Sequence, residues 1–202
     1  MRFEDTYKIR RNVDQFRGSE MRFNEEYRVP KQITGHVWAT LRHIDGSEEK
    51  FDFGNLVIND ASILVARLLS DKNDPVWGIK FLAVGSGDAT WPDPPPSPTG
   101  AEHGLISEIA RKTFSSVNFI DGSGAVTTTP TNVVDYVTIF NQGEAGPAAL
   151  REMGLVGGDA ISTPVAFANG GKNTDVFFNL RRFSVINVPA TGTLTLVWRI
   201  TT

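Results

Sequence analysis

Short segments that are typical of β-strands recur about every ten residues from Gly35 to the C-terminus, and glycine, proline or asparagine separates them. Short strands at this spacing are characteristic of antiparallel sandwiches, because a turn reverses the chain each time it has crossed a sheet. We therefore predict a mainly β protein with an antiparallel, jelly-roll-like β-sandwich over residues 33–202 and one or two short helices. The strand candidates after residue 78 are IKFLAVG, SVNFI, VDYVTIFN, MGLVG, PVAFAN, DVFFNLRRFSVINV and TLTLVWRITT.

Apolar and polar residues alternate in the first and last of the predicted strands. Side chains of a strand point alternately to its two faces, so alternation predicts one buried and one solvated face. The predicted inward-facing residues are Val37, Ala39, Leu41, Leu194, Leu196 and Trp198. Asp45-Gly46 follows the first strand as a turn signal, and KFDFGNLV is its predicted hairpin partner. We expect the last strand to pair inside a sheet.

The segment NDASILVARLLSD has the pattern of a helix. Asn59 or Asp60 can cap its N-terminus, since short polar side chains accept hydrogen bonds from the first free backbone N–H groups. Its predicted apolar stripe is Ile63, Leu64, Leu68 and Leu69. A second segment, LISEIARKTF, is compatible with either a short helix or the start of a strand.

Residues 1–32 differ from the rest of the chain, because they contain eight Lys or Arg and six Asp or Glu with few apolar residues. Such a segment buries too little apolar surface to offset the entropy lost on ordering alone. We interpret it as an extended N-terminal arm that orders when it docks on neighbours, and a floppy terminus is the alternative. Its predicted interface residues are Phe3, Tyr7, Arg10, Arg11, Phe16, Phe23 and Tyr27.

Bulk composition narrows the classes of function. The formal net charge of −3 argues against a general nucleic-acid binder, because binding a polyanion needs a basic face. The 202 residues include no cysteine, which excludes disulfides and thiolate metal sites and is compatible with synthesis in a reducing cytosol. The N-terminus lacks an apolar signal region, and no run of apolar residues is long enough for a membrane span. We expect neither nucleic acid nor a membrane as a partner.

No arrangement of residues has the spacing of a known catalytic or metal site. His36 and His43 are an odd number apart, which places them on opposite faces of a strand, and His103 lies elsewhere. The glycines at 85–87 lack the lysine and the spacing of a phosphate-binding loop, and residues 71–74 lack the glycine and glutamate of a calcium loop. We predict no cofactor, no metal and no enzymatic activity.

A proline-rich loop carries an aromatic side chain suited to binding. Five prolines lie between Pro92 and Pro98, next to Trp91, and they stiffen the loop so that little entropy is lost when a partner binds. We interpret Trp91 as a protein-interface residue, and the alternative is a platform that stacks on a host glycan. Trp38 is a second candidate for such a platform.

Four charged residues form a candidate structural network. Glu108 and Arg111 are three apart and can pair across one helical turn, and Glu152 belongs to a strand expected to run near them. With Arg182 they would form a partly buried ion network that fixes register more than it adds stability. Solvated surface charges are the alternative.

The order of motifs in residues 55–202 resembles a group of small tail- or neck-associated structural proteins of tailed bacteriophages. The matching pieces are Gly85 to Gly87, Leu105 with Glu108, Ile109 and Arg111, then Glu152, Gly154 and Leu155, and finally Leu194 to Thr202. The resemblance implies a virion structural protein of tail fibre, baseplate or collar type, assembled in the host cytoplasm. Its implied partners are other virion proteins, including copies of itself in a symmetric ring or fibre, and a host-glycan-binding module of a tail fibre is the alternative.

Overall fold

The computed structural model describes residues 33–70, 78–158 and 175–202, without the side chains of residues 67–70 and 175. The chain divides into two units, Met1–Pro30 and Lys31–Thr202, and the first lies wholly outside the described residues. The predicted arm, the predicted strand PVAFAN and the turn signal at 169–171 therefore lie outside the described part of the chain.

The described residues form eleven strands and one helix. The elements in chain order are β1 Thr34–Arg42, β2 Glu48–Gly54, β3 Leu56–Val57, α1 Ala61–Ser70, β4 Ile79–Gly85, β5 Glu108–Thr113, β6 Ser116–Ile120, β7 Val126–Thr127, β8 Val133–Phe140, β9 Ala148–Gly158, β10 Asp175–Val188 and β11 Thr193–Thr201. The segment LISEIARKTF, compatible with a helix or a strand in sequence, contributes β5 and is therefore a strand.

The strands form two antiparallel sheets. One has the order β2-β1-β11-β8-β6-β7, and the other has the order β3-β10-β9-β4-β5. The prediction of a mainly β, antiparallel sandwich is confirmed. The last strand, β11, pairs with β1 on one side and β8 on the other, as its alternating pattern indicated. The predicted hairpin of β1 and β2 is also present, with His43–Ser47 making the turn.

The main core lies between the sheets and contains the predicted inward faces. All six residues expected there, from Val37 to Trp198, are 1% exposed or less. Leu82, Val84 and Leu155 come from the five-stranded sheet and belong to the same cluster. The alternation of apolar and polar residues thus predicted the inner face correctly, because the apolar face of each strand is the one that packs against the other sheet.

A second, smaller core lies on the opposite face of the five-stranded sheet. Phe81 and Ala83 alternate with the inward Leu82 and Val84, so they point away from the main core. The members of this second core are Ile58, Phe81, Ala83, Leu105, Val156, Phe177 and Leu180. Since Leu105 belongs to the segment between β4 and β5, this segment, residues 86–107, folds back over the sheet. We call it the cover loop.

Helix α1 begins where the sequence predicted, but its buried face differs in part from the predicted stripe. Leu64 is 1% exposed and Ala61 is 3% exposed, whereas Ile63 is 48% exposed. The prediction for Ile63 was wrong, because the helix packs through the i and i+3 positions Ala61 and Leu64, and Ile63 falls outside that face. The side chains of Leu68 and Leu69 lie outside the described residues.

This helix face gives a direct test by mutation. Leu64→Ala should lower the free energy of unfolding by about 2–3 kcal/mol, because it leaves a cavity in the main core. Ile63→Ala truncates a side chain of the same size at a half-exposed position, so it should change the free energy of unfolding by less than about 0.5 kcal/mol. Urea denaturation of both variants measures the contrast, and equal losses would contradict the assigned helix face.

Candidate functional site

Three of the four residues of the predicted ion network lie in one row across the five-stranded sheet. Glu108 on β5 is the register partner of Gly85 on β4, which is in turn the partner of Glu152 on β9. Glu152 is the partner of Arg182 on β10. The row lies on the same face as the second core, since Gly85 follows Phe81 and Ala83 at two-residue steps. The cover loop packs against this row.

Glu108 and Arg111 form a buried bidentate ion pair, although they are on a strand and not on a helix. Arg111 Nε donates to Glu108 Oε1 at 2.5 Å and Arg111 Nη2 donates to Oε2 at 2.7 Å, and both side chains are 1% exposed. Residues three apart on a regular strand point to opposite faces. A β-bulge makes the pair possible: Ala110 pairs with Val84 and Glu108 pairs with Gly85, which leaves Ile109 as the extra residue.

Glu152 holds the two ends of the cover loop together. Its Oε1 accepts hydrogen bonds from Ser107 N at 2.8 Å and Gly87 N at 3.2 Å, and its Oε2 accepts one from Ile106 N at 3.0 Å. The side chain is fully buried. Gly85 leaves room for it, because a Cβ at position 85 would lie 2.7 Å from Glu152 Oε1 and 2.5 Å from Ser107 O. One carboxylate therefore satisfies three backbone donors of the loop.

Arg182 holds the middle of the cover loop. Its Nη2 lies 3.3 Å from Glu102 Oε1, and its Nη1 donates to Pro96 O at 3.4 Å. Its guanidinium lies over the ring of Trp91, 4.6 Å from the centroid, in cation–π geometry. Glu102 in turn accepts hydrogen bonds from Thr99 N at 3.0 Å and from Gly100 N at 2.9 Å.

Arg151 holds the first part of the loop and was missed in the sequence. It donates to three backbone carbonyls, Asp88 O at 3.1 Å, Trp91 O at 3.1 Å and Pro92 O. Regular alternation would point adjacent residues 151 and 152 to opposite faces, but both reach the same loop. A register shift between Arg182 and Ile186 on the neighbouring strand interrupts the alternation at this point. Sequence patterns gave no signal for this irregularity.

Glu102 was also missed, although the sequence does contain a signal for it. Thr99-Gly100-Ala101-Glu102 has the S/T-x-x-E pattern in which a glutamate reaches back to backbone N–H groups. The structure shows this back-bonding within the cover loop and without a following helix. The pattern is therefore a signal for the local hydrogen bonds of Glu102 and not for a helix.

The pKa values of Glu152 and Glu102 are shifted in opposite directions. Burial raises the pKa of Glu152 above its ordinary value of 4.5, and the backbone N–H groups of Ser107 and Ile106 and the charge of Arg182 only partly oppose this. Burial also acts to raise the pKa of Glu102, but hydrogen bonds from Thr99 and Gly100 and the charge of Arg182 outweigh it, and its pKa is lowered. The loop is thus held by two carboxylates with opposite pH responses.

The raised pKa of Glu152 predicts the sign of a pH dependence. A carboxyl group with a raised pKa binds its proton more tightly in the folded chain, so its contribution to stability falls as pH rises from 4.5 through the folded pKa. In the variant Glu152→Gln, the side chain at position 152 does not titrate. The free energy of unfolding of the wild type minus that of Glu152→Gln should therefore increase as pH is lowered from 8 towards about 5. Urea denaturation across this range measures it, and a difference that is constant or decreases on acidification would contradict the assigned burial.

Trp91, the predicted interface residue within the described chain, lies in the cover loop and is partly enclosed by two arginines of the sheet and by the loop backbone. Its ring is half-buried, with Arg182 over it and the guanidinium of Arg151 at 5.8 Å. A Cβ at Gly87 would lie 2.2 Å from the ring, so backbone closely approaches it as well. Trp91 is thus an internal anchor of the loop with part of its surface exposed. The predicted interface residues of the arm, Phe3 to Tyr27, lie outside the described residues.

Trp38 lies on the outer face of the six-stranded sheet. It is half-buried, with the ring of His36 at 4.4 Å and the guanidinium of Arg199 at 5.0 Å. Arg199 forms a bidentate pair with Asp135 at 2.7 and 2.8 Å, and His36 lies 2.5 Å from Asp52. An aromatic ring is therefore flanked by polar groups on the outer face of the six-stranded sheet.

The three histidines contact three different carboxylates and do not converge. His36 lies against Asp52, His43 Nε2 lies 2.7 Å from Glu49, and His103 Nδ1 lies 2.8 Å from Asp60. Within residues 33–70, 78–158 and 175–202, no group of three or more His, Cys, Asp or Glu side chains is arranged to hold a metal ion. The helix in this part of the chain is too short to cross a membrane.

Comparison with known proteins adds no family to this description. No protein-family model matches the chain, and a search of curated proteins finds no match. The function is therefore inferred from the chain's own residues and geometry.

Proposed function

We propose that this protein is a structural component of a tailed-bacteriophage virion, at the tail, baseplate or neck, and that it docks to neighbouring virion proteins through its N-terminal arm and its β-domain surfaces. The ordered motifs between residues 55 and 202 support the class of protein. The geometry that supports docking is the cover loop.

The observation that carries the proposal is that three charged side chains of the five-stranded sheet bind the cover loop. Arg151, Glu152 and Arg182 are all directed to backbone or side-chain groups of the cover loop. They hold the loop in one conformation in which Pro92, Pro94 and Pro96 are exposed and Pro95 is buried. A surface ordered in advance loses little conformational entropy on binding, which suits a permanent contact in an assembly.

The test is the composition and assembly of phage particles. In gradient-purified particles of the phage that encodes the chain, mass spectrometry should find it in stoichiometric amounts with other tail or neck proteins. Deleting its gene should stop assembly at a particle without a complete tail, and wild-type protein supplied from a plasmid should restore infectious particles. Complete infectious particles from the deletion, with no copy of the chain, would overturn the proposal.

A glycan-binding module of a tail fibre is the second candidate, and the site around Trp38 favours it. A partly exposed tryptophan beside hydrogen-bonding groups on the outer sheet face is suited to stacking on a sugar ring. Trp91 suits this less, because Arg151, Arg182 and the backbone at Gly87 all approach its ring, whereas one guanidinium, that of Arg199, lies over Trp38. A glycan array probed with the full chain and with Trp38→Ala decides between the two. Binding lost in Trp38→Ala supports the glycan module, and no binding to any glycan leaves the structural role.

A further inference from the structure

Two apolar grooves adjoin at the start of the described chain. The first has a volume of about 760 Å³ and runs along α1 and β3, and the second has a volume of about 220 Å³ and opens at the end of the sandwich. Both are lined by Ile33 and Val65, so they meet at the residue that precedes β1. Leu64, Ile79 and Tyr136 extend the lining of the second groove. We call the two together the root groove.

The lining of the root groove is apolar or neutral. Its polar members include Asn59, Ser62, Thr131 and Asn132, and none of the described lining residues has a charged side chain. Beside it, α1 exposes 48% of Ile63 and 37% of Val65, both large apolar side chains. Such a surface gains free energy when its apolar groups are covered.

The groove lies next to the point at which the described chain begins. The chain enters the described structure at Ile33, which lines both grooves, and 32 residues precede it. These residues carry scattered aromatic side chains among charges, the composition that needs an external apolar surface to order. Fully extended, 32 residues reach on the order of 100 Å, which is far enough to leave one copy and enter the next.

We propose that the root groove binds the N-terminal arm, residues 1–32, of a neighbouring copy of the same chain. The inference rests on the proposed structural role, in which copies stand side by side. The sequence of the arm supplies aromatic residues, among them Phe16 and Phe23, that are suited to an apolar groove. Because each groove lies at the root of its own arm, two adjacent copies can exchange arms with a short crossing.

The natural absence of cysteine makes a crossed experiment possible. One full-length chain carries Val65→Cys only, and a second carries a single cysteine in the arm, at Phe3, Phe16, Phe23 or Tyr27 in turn. The two are mixed and treated with a short thiol-specific cross-linker. Arm exchange predicts a cross-linked heterodimer for at least one arm position. The matched control replaces Val65→Cys by Val126→Cys, at an exposed valine of the strand β7.

The outcomes of this experiment separate the models. Heterodimers with Val65→Cys well above the Val126→Cys control support arm exchange. A third chain carries Val65→Cys and the arm cysteine together. Cross-links within this chain, with no heterodimer from the mixed single-cysteine chains, show that the arm binds its own groove and overturn the proposal. Cross-linking no greater than the control overturns it as well.

A second variant tests the groove without cysteines. Val65→Asp places a charge in the apolar lining at a partly exposed position, so the sandwich should still fold. Sedimentation of full-length chains should show self-association weakened at least about tenfold, with little change for Val126→Asp. Unchanged self-association would overturn the proposal.

Failure of the groove and failure of the virion role are distinguishable. If cross-linking fails while the chain is still found in particles, the groove is wrong and the virion role stands. If the cross-links form but the chain is absent from particles, arm exchange stands and the virion role is wrong.

Discussion

Replacing Arg111 by methionine should lower the free energy of unfolding by about 3–5 kcal/mol. The guanidinium is 1% exposed and makes two hydrogen bonds with the equally buried carboxylate of Glu108. Its removal takes two hydrogen bonds and a neighbouring positive charge from a carboxylate that stays in a low-dielectric site, which is costly. Urea denaturation of the variant, compared with the wild type, measures the loss.

The double variant Glu108→Met, Arg111→Met tests whether the two side chains act as a pair. A buried ion pair replaced on both sides by apolar groups of similar volume often costs little, because the penalty for removing both charges from water disappears as well. We expect the double variant to be clearly more stable than Arg111→Met alone. The four free energies form a double-mutant cycle, and single losses that simply add in the double variant would show that the two side chains do not act as a pair.

Glu152→Ala should have the second large effect, again about 3–5 kcal/mol. The carboxylate accepts hydrogen bonds from Gly87, Ile106 and Ser107, so its removal leaves three backbone donors at the two ends of the cover loop without this acceptor. It also removes the negative charge beside Arg182. Urea denaturation gives the loss of stability, and limited proteolysis should show faster cleavage within residues 86–107 than in the wild type.

Glu144→Ala is the matched control for this variant. Glu144 also accepts a backbone hydrogen bond, from Asn141 N at 2.6 Å, and contacts Lys112, but its side chain is 41% exposed. Since solvent screens an exposed pair, its loss should cost at most about 1 kcal/mol. If Glu152→Ala costs no more than Glu144→Ala, and the cover loop resists protease equally in both, Glu152 does not hold the loop.

Regular features of the fold could be predicted from the sequence, because each depends on a local pattern. Alternation in β1 and β11 identified the inward faces correctly from Val37 to Trp198, and the helix was placed at the right segment. The sequence of the helix allows two overlapping apolar faces, and the elements packed against the helix determine which of them is buried. The prediction for Ile63 was wrong for this reason. A choice of this kind depends on tertiary packing.

The candidate site could be predicted only in part, because it depends on irregularities. The sequence placed Glu108, Arg111, Glu152 and Arg182 in one network. It based the first pair on a helical turn, and this pair forms across a β-bulge, whereas Glu152 binds backbone N–H groups of the cover loop. Arg151 was missed because a register shift directs it to the same loop as its neighbour. Bulges, and the path of a loop over a sheet, depend on contacts between distant segments. The periodicity of a single segment carries no information about such contacts.

The most direct test of the virion role is cryo-electron microscopy of purified virions with averaging over the tail and neck. We predict density for the sandwich of residues 33–202 repeated around the tail axis as a ring or along a fibre, with the cover loop or the arm in contact with neighbouring subunits. A reconstruction in which every tail, baseplate and neck density is accounted for by other proteins would contradict that role.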